Sequence, residues 1–138
     1  PPIGVRKLSL NRSNLYGKIF KNNITKNLQP IIVAMIESLH GVKNLESIIR
    51  VNGLDAIFIG PYDLSASLGI PGKFNSTKYQ NTIKKIKILS NKYSIPIGIH
   101  VVDNDIKELK KIIKEKYQFI AYSMDTIFIK KSSNNPFN

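Results

Sequence analysis

The chain contains no cysteine, which excludes disulfides, thiolate metal sites and cysteine nucleophiles. That absence agrees with a cytoplasmic location. No apolar run approaches the ~20 residues of a membrane span, and no signal-peptide pattern opens the chain. The first residue is Pro1 rather than Met, so the expectation is a piece of a longer reading frame. A Walker loop, a G-x-S-x-G elbow and a G-x-G-x-x-G fingerprint are all missing. Acidic residues are scarce: 9 Asp and Glu face 21 Lys and Arg, for a net charge of +12. Such a balance suits a polyanion or a membrane surface. However, only Arg6, Arg12 and Arg50 are arginine, and no stripe rich in arginine or aromatics is present. The lysines at 84, 85 and 87, and at 107, 110, 111, 114 and 116, fall within amphipathic helical patterns. Solvated helix faces and a shared enrichment in Lys, Asn and Ile account for the charge. No nucleic-acid or membrane partner is expected.

What is present is 138 residues, enough for one domain with a core. The organising stretch runs from Ile31 to Gly69. Its two apolar runs, Ile31–Ile36 and Ala56–Ile59, are short, β-branched and without alternation. Parallel strands buried on both faces read this way. Two further strands are expected over Pro96–Val102 and Gln118–Ser123. Helical stripes predict helices over Leu39–Val51, Ser76–Tyr93 and Ile106–Lys116, the last capped by Asp103 or Asn104. A helix over about 14–28, stopped by Pro30, is plausible. A short helical turn is expected near Asp63–Leu68. From Lys130 onward the chain reads as a polar tail without a helix, so the domain is drawn at 1–129 and the tail at 130–138. Strands alternating with helices imply crossover units in a parallel sheet. The pattern leaves two options open: a small open α/β sheet, or half of an eight-stranded barrel.

Each apolar run leads to a carboxylate, Glu37 after the first and Asp63 after the second, the latter through Gly60-Pro61-Tyr62. If the strands are neighbours, both acids emerge at one sheet end and can share a divalent cation. Carboxylate oxygens suit Mg²⁺ or Mn²⁺ and leave positions open for water and substrate. An α-keto acid chelates such an ion through its carboxylate and keto oxygens, and the metal then stabilises the enolate. Gly60 lets a ligand approach the backbone, and N–H groups near Tyr62 and Asp63 can accept a carboxylate. The competing reading is that Glu37 and Asp63 only cap the helices that follow. His100, near the end of the third strand, faces the same site or is a hydrogen-bonded core histidine. His40 reads as a histidine of a helix's first turn. Asp103 reads as a cap, and Asp125 either closes the site or caps a helix. Arg6 either binds an anion or does nothing, and Tyr62 and Tyr122 are more often packing. No lysine falls within an expected strand, which argues against a Schiff-base aldolase.

The segments PPIGVR, IIVAMIES, GLDAIFIGPYDLSASLGIPGKF, PIGIHVVD and YQFIAYSMDTIF resemble, in the same order, the HpcH/HpaI aldolase/citrate lyase family of metal-dependent pyruvate aldolases. The likeness covers Pro1 to about Phe128. It implies a (β/α)₈ TIM barrel, with this chain holding strands five to eight without the final helix. It implies reversible cleavage of a 4-hydroxy-2-oxo acid or a 2-keto-3-deoxy sugar acid to pyruvate and an aldehyde. By the same likeness Glu37 and Asp63 are the metal ligands, for Mg²⁺ or Mn²⁺ with Co²⁺ as a further option. Gly60, Pro61, Tyr62 and Asp63 form the turn that holds pyruvate, and His100 lines the aldehyde pocket. The family's His–Asp acid/base pair and substrate arginine are expected upstream of Pro1; neither His40 nor His100 takes the base's place. A homo-oligomer is expected of the full-length form. The alternative is a catalytically silent remnant, or an interaction module that pairs with a separate first half. Lys7 and Lys116 each stand where the family usually has glycine. At Lys116 this costs about 1 kcal/mol if the backbone there is left-handed.

Overall fold

The computed structural model describes Lys18 and residues 30–133. The expected helix over 14–28, apart from Lys18, lies outside the described residues, as do Arg6 and Lys7. All the strands and helices of the described residues belong to the unit Ile31–Asn138.

The apolar runs become strands. β1 is Val33–Ile36, β2 Ala56–Ile59, β3 Ile97–Val101 and β4 Phe119–Tyr122. All neighbours pair in parallel, and the spatial order is the chain order, β1-β2-β3-β4. A doubly wound sheet reverses its winding at a switch point. An order that advances one strand at a time in one sense is that of a barrel wall. This resolves the choice between open sheet and barrel segment: the fold is α/β, about half of a (β/α)₈ barrel.

Pleating gives the sheet two unlike faces. Ile57, Ile59, Ile97, Ile99 and Val101 are buried beneath the helices. The opposite face carries Val33 and Met35, both exposed, with Phe58 and His100 half-buried. Register places Met35, Phe58, Gly98 and Phe119 in one cross-strand row. There Phe58 stacks on Phe119 at 5.7 Å between ring centroids. Gly98 is required by that ring, since a Cβ on it would lie 2.2 Å from Phe119.

The helices are α1 Leu39–Lys43, α2 Leu45–Ile49, α3 Pro61–Ser67, α4 Thr77–Lys92, α5 Ile106–Lys114 and α6 Asp125–Ser132. The long helix α4 is as expected, with the Ser76 hydroxyl accepting from the Tyr79 N–H. Three expectations are corrected. The helix over Leu39–Val51 is broken at Asn44, whose φ of −97° and ψ of 10° leave the helical range; its side-chain amide and its backbone N–H both donate to the His40 carbonyl at 3.1 Å. The cap of α5 is Asp105, not Asp103 or Asn104: its Oδ1 accepts from the Lys107 N–H at 2.7 Å. The side chain of Asn104 is engaged elsewhere, its Oδ1 accepting from the Tyr122 hydroxyl at 2.7 Å. Finally, the chain beyond β4 is not without a helix: α6 runs through Lys130 to Ser132, across the expected boundary at 129/130. Phe128 packs edge-on against Tyr122, and Lys131 donates to the Asn104 carbonyl at 3.0 Å, which seats α6 although none of its residues is buried.

Candidate active site

Glu37 directly follows β1 and Asp63 lies in the first turn of α3, which follows β2. Because β1 and β2 are parallel neighbours, with Ile36 opposite Ile59, both carboxylates stand at the carboxyl end of the sheet. Gly60 lies between them. A Cβ there would fall 3.2 Å from Glu37 Cβ and 3.5 Å from its Oε2, so the glycine makes room for the Glu37 side chain. Pro61 occupies the first helical position, where a missing N–H costs nothing. The next N–H groups, of Tyr62 and Asp63, have no intrahelical acceptor.

Neither acid is the cap of the helix that follows it. Ser38 caps α1, its Oγ accepting from the Gly41 N–H at 3.0 Å, and Gly60 takes the cap position of α3. Asp63 keeps a first-turn carboxylate's favourable interaction with the helix dipole. Among the described residues Glu37 and Asp63 form no ion pair or side-chain hydrogen bond. Two hard oxygen donors of this kind fit a divalent cation that completes its shell with water and substrate. No group of three or more His, Cys, Asp or Glu that could hold a metal occurs among the described residues.

His100 lies on the barrel-interior face, 6.3 Å from the Phe58 ring. Its Nε2 is 3.1 Å from the carbonyl oxygen of Ser123. A carbonyl only accepts, so Nε2 carries the proton and Nδ1 is left as an acceptor. His40 is exposed on α1 beside the Asn44 amide, as expected. Asp125 is the first residue of α6, with Oδ1 accepting from the Thr126 N–H; the cap position is taken by Met124, so the expected capping role is not the one found. Asp103 is exposed and caps nothing. None of β1 to β4 contains lysine.

A sequence profile of the HpcH/HpaI aldolase/citrate lyase family matches residues 2–131. The chain belongs to this family. Among its relatives are the 5-keto-4-deoxy-D-glucarate aldolases of Enterobacter sp. (strain 638) and of Escherichia coli O157:H7 (strain EC4115 / EHEC). Each is 36% identical over 100 residues, which cover 72% of this chain and 39% of the relative. The chain therefore spans well under half the length of the curated relatives it matches. Among solved structures, an HpcH/HpaI aldolase/citrate lyase family protein from Burkholderia cenocepacia J2315 superposes with a TM-score of 0.74 at 25% identity, over 95% of this chain and 51% of that one. The HpcH/HpaI aldolase from Desulfitobacterium hafniense DCB-2 shares the fold, with a TM-score of 0.71 at 22% identity over 100% of this chain and 57% of that one. No helix of the described residues is long and apolar enough to cross a membrane.

Two serines of this HpcH/HpaI chain bear on the site and were not singled out from the sequence. Ser67, on α3, accepts the Leu39 N–H at 2.8 Å and so ties the segment that follows Glu37 to the helix that carries Asp63. Ser65 is fully buried; it donates to the Tyr62 carbonyl at 2.7 Å and accepts the Gly72 N–H at 2.9 Å, folding the following loop back on the turn. Serines spaced within a helix carry no pattern that distinguishes such long-range bonds from solvent contact.

Proposed function

We propose that the chain is the metal- and pyruvate-binding half of a class II aldolase. The reaction is a reversible carbon–carbon cleavage of a 4-hydroxy-2-oxo acid or 2-keto-3-deoxy sugar acid to pyruvate and an aldehyde. The observation that carries this reading is the placement of Glu37 and Asp63 at one end of two adjacent parallel strands, with neither used as a cap or, among the described residues, as an ion-pair partner. In this proposal both carboxylates hold Mg²⁺, Mn²⁺ or Co²⁺. A divalent cation bound there supplies Lewis-acid polarisation of the keto oxygen.

The chain's own groups orient the substrate. The first-turn N–H groups of Tyr62 and Asp63 take its carboxylate, and Gly60 with Pro61 leaves the backbone open to close approach. His100, held by the Ser123 carbonyl, borders the aldehyde end and offers Nδ1 to a substrate hydroxyl. The acid/base pair and the substrate arginine are assigned to a part of the protein outside this chain. A cytoplasmic location and a homo-oligomeric full-length form belong to the same reading.

Calorimetric titration with Mn²⁺ tests it. The chain should bind the ion, and Glu37→Ala and Asp63→Ala should each abolish binding; unchanged affinity in both variants refutes the proposal. With 5-keto-4-deoxy-D-glucarate, the substrate class named by the relatives, the isolated chain should show little turnover.

A second reading, a silent module that pairs with a separately encoded first half, is favoured by one observation. Val33 and Met35, on the face that a closed barrel buries, are 42% and 55% exposed. The reading frame upstream of Pro1 separates the two: about 110 further residues of a whole barrel with a His–Asp pair support the enzyme, and a stop codon supports the module.

A further inference from the structure

Ser123, just past the carboxyl end of β4, has a left-handed backbone that no helix end explains. Ser94 and Lys116 share the conformation. Ser94 follows Tyr93, the cap that ends α4, and Lys116 follows Glu115, the cap that ends α5. A left-handed residue one step past a helix cap is an ordinary way to close a helix, and both of these residues are exposed. Ser123 instead follows a strand and is only 7% exposed. Among the described residues its Oγ is the one buried side-chain polar atom without a hydrogen-bond partner. Strain of this kind persists only where the surroundings hold it, and it gathers at functional sites.

The strand pairing gives the conformation a purpose. The register of β3 and β4 ends with Val101 opposite Tyr122. One residue further, the Ser123 N–H still donates to the Val101 carbonyl, at 2.7 Å. Its amide side therefore stays with the sheet. At φ 57° the chain then turns, and the Ser123 carbonyl lies 3.1 Å from Nε2 of His100. His100 shares the barrel-interior face with Gly98, Phe119 and Ala121, and alternation brings Ser123 next on that face. The partner of one ring nitrogen decides which nitrogen carries the proton. Phe58, 6.3 Å away between ring centroids, borders the same imidazole. Nδ1 has no hydrogen-bond partner among the described residues.

We propose that Ser123 is a positioning residue for substrate selection. Its left-handed turn aims the carbonyl that locks His100 in the Nε2–H form, and the locked ring offers Nδ1 to a hydroxyl on the aldehyde fragment. A hydroxyl donates to that lone pair, whereas a hydrogen in its place leaves the lone pair unpartnered. The choice of substrate hydroxyl rests on the aldolase reading; the lock on His100 does not.

Two measurements on the intact chain test this. The first is heteronuclear NMR of the imidazole nitrogens, without metal and at about pH 8, where histidine rings are ordinarily neutral. The chain has 2 histidines, so His40 serves as the reference. His100 should show a protonated Nε2 and an unprotonated Nδ1. Ser123→Gly, which keeps the left-handed turn, should retain that spectrum. Ser123→Val, whose branched side chain disfavours positive φ, should convert His100 to a mixture of tautomers in a chain shown to be folded by circular dichroism. If Ser123→Val does not fold, the parent and Ser123→Gly spectra decide. An unlocked His100 in the parent, loss of the lock in Ser123→Gly, or an unchanged spectrum in folded Ser123→Val would each overturn the proposal.

The second is calorimetry of the Mn²⁺-loaded chain with the pyruvate–glycolaldehyde aldol adduct and with the pyruvate–acetaldehyde adduct, which lacks one hydroxyl. The glycolaldehyde adduct should bind several-fold more tightly, the worth of one hydrogen bond. His100→Phe and folded Ser123→Val should erase the difference while Mn²⁺ affinity stays the same. Failure to bind Mn²⁺ strikes the aldolase reading and the hydroxyl with it. Mn²⁺ binding with equal affinity for the two adducts strikes the role of Ser123 alone.

Discussion

Among the described residues, three other than glycine hold a left-handed backbone: Ser94 at φ 54°, Lys116 at φ 62° and Ser123 at φ 57°. For an L-residue this conformation costs ~1–2 kcal/mol. Lys116 closes the turn between α5 and β4. Lys116→Gly should therefore raise stability by about 1 kcal/mol, read from urea unfolding. Ser123 carries a second cost. It is 7% exposed, and its Oγ is buried without a hydrogen-bond partner among the described residues. Ser123→Gly removes both the strain and the orphan hydroxyl, so its gain should exceed that of Lys116→Gly. The Ser123 carbonyl that holds His100 belongs to the backbone and survives the substitution. A Ser123→Gly variant no more stable than the parent would mean that the hydroxyl is bonded in solution.

Between elements, the candidate metal site depends on how α1 and α3 are held together. The Leu39 N–H to Ser67 Oγ bond spans 28 residues of sequence and joins the two carboxylate-bearing segments. Ser67→Ala should cost about 1 kcal/mol of stability. It should also weaken Mn²⁺ affinity, although Ser67 supplies no donor to the ion, and Ser67→Thr should restore both. A loss of stability with unchanged Mn²⁺ affinity would limit Ser67 to a structural role. Gly60 gives a complementary case. Its φ of −91° strains no residue, so Gly60→Ala acts only through contact with the Glu37 side chain and should reduce Mn²⁺ affinity with little change in folding.

At the scale of the molecule, the sheet shows one finished face and one unfinished face. The helix-facing side carries the buried core, and the other carries Val33 and Met35 in the open. An exposed apolar face bounded by an edge strand favours association. The chain should therefore self-associate with rising concentration in sedimentation experiments, and Met35→Lys should reduce this. The buried phenols set the alkaline limit of the fold. Tyr79 and Tyr117 are pushed up by burial from a usual value of 10.0. Their contribution is complete below pH 10, where the unfolded chain also keeps its phenols protonated. It is lost as pH rises beyond that, because the unfolded form ionises first. Unfolding midpoints measured across that range should fall above pH 10, and less steeply in Tyr79→Phe.

Local chemistry in the sequence determined the strands, the helix α4 and the carboxylates that end β1 and β2. Unbroken β-branched runs, a 3.6-residue stripe and acids placed after apolar segments all act over a few neighbouring residues. The family words carried the (β/α)₈ assignment further than periodicity did, since periodicity allowed an open sheet equally well. Tertiary structure alone decided the strand order, the row in which Gly98 yields to Phe119 and the bond from Ser67 to Leu39. It also decided that Asp105 caps α5, because Tyr122 from a distant strand engages Asn104. It decided α6, whose weakly apolar sequence is helical because Tyr122 and Asn104 give it something to pack on. Each of these depends on a partner distant along the chain, and neither pattern nor propensity records which partner that will be.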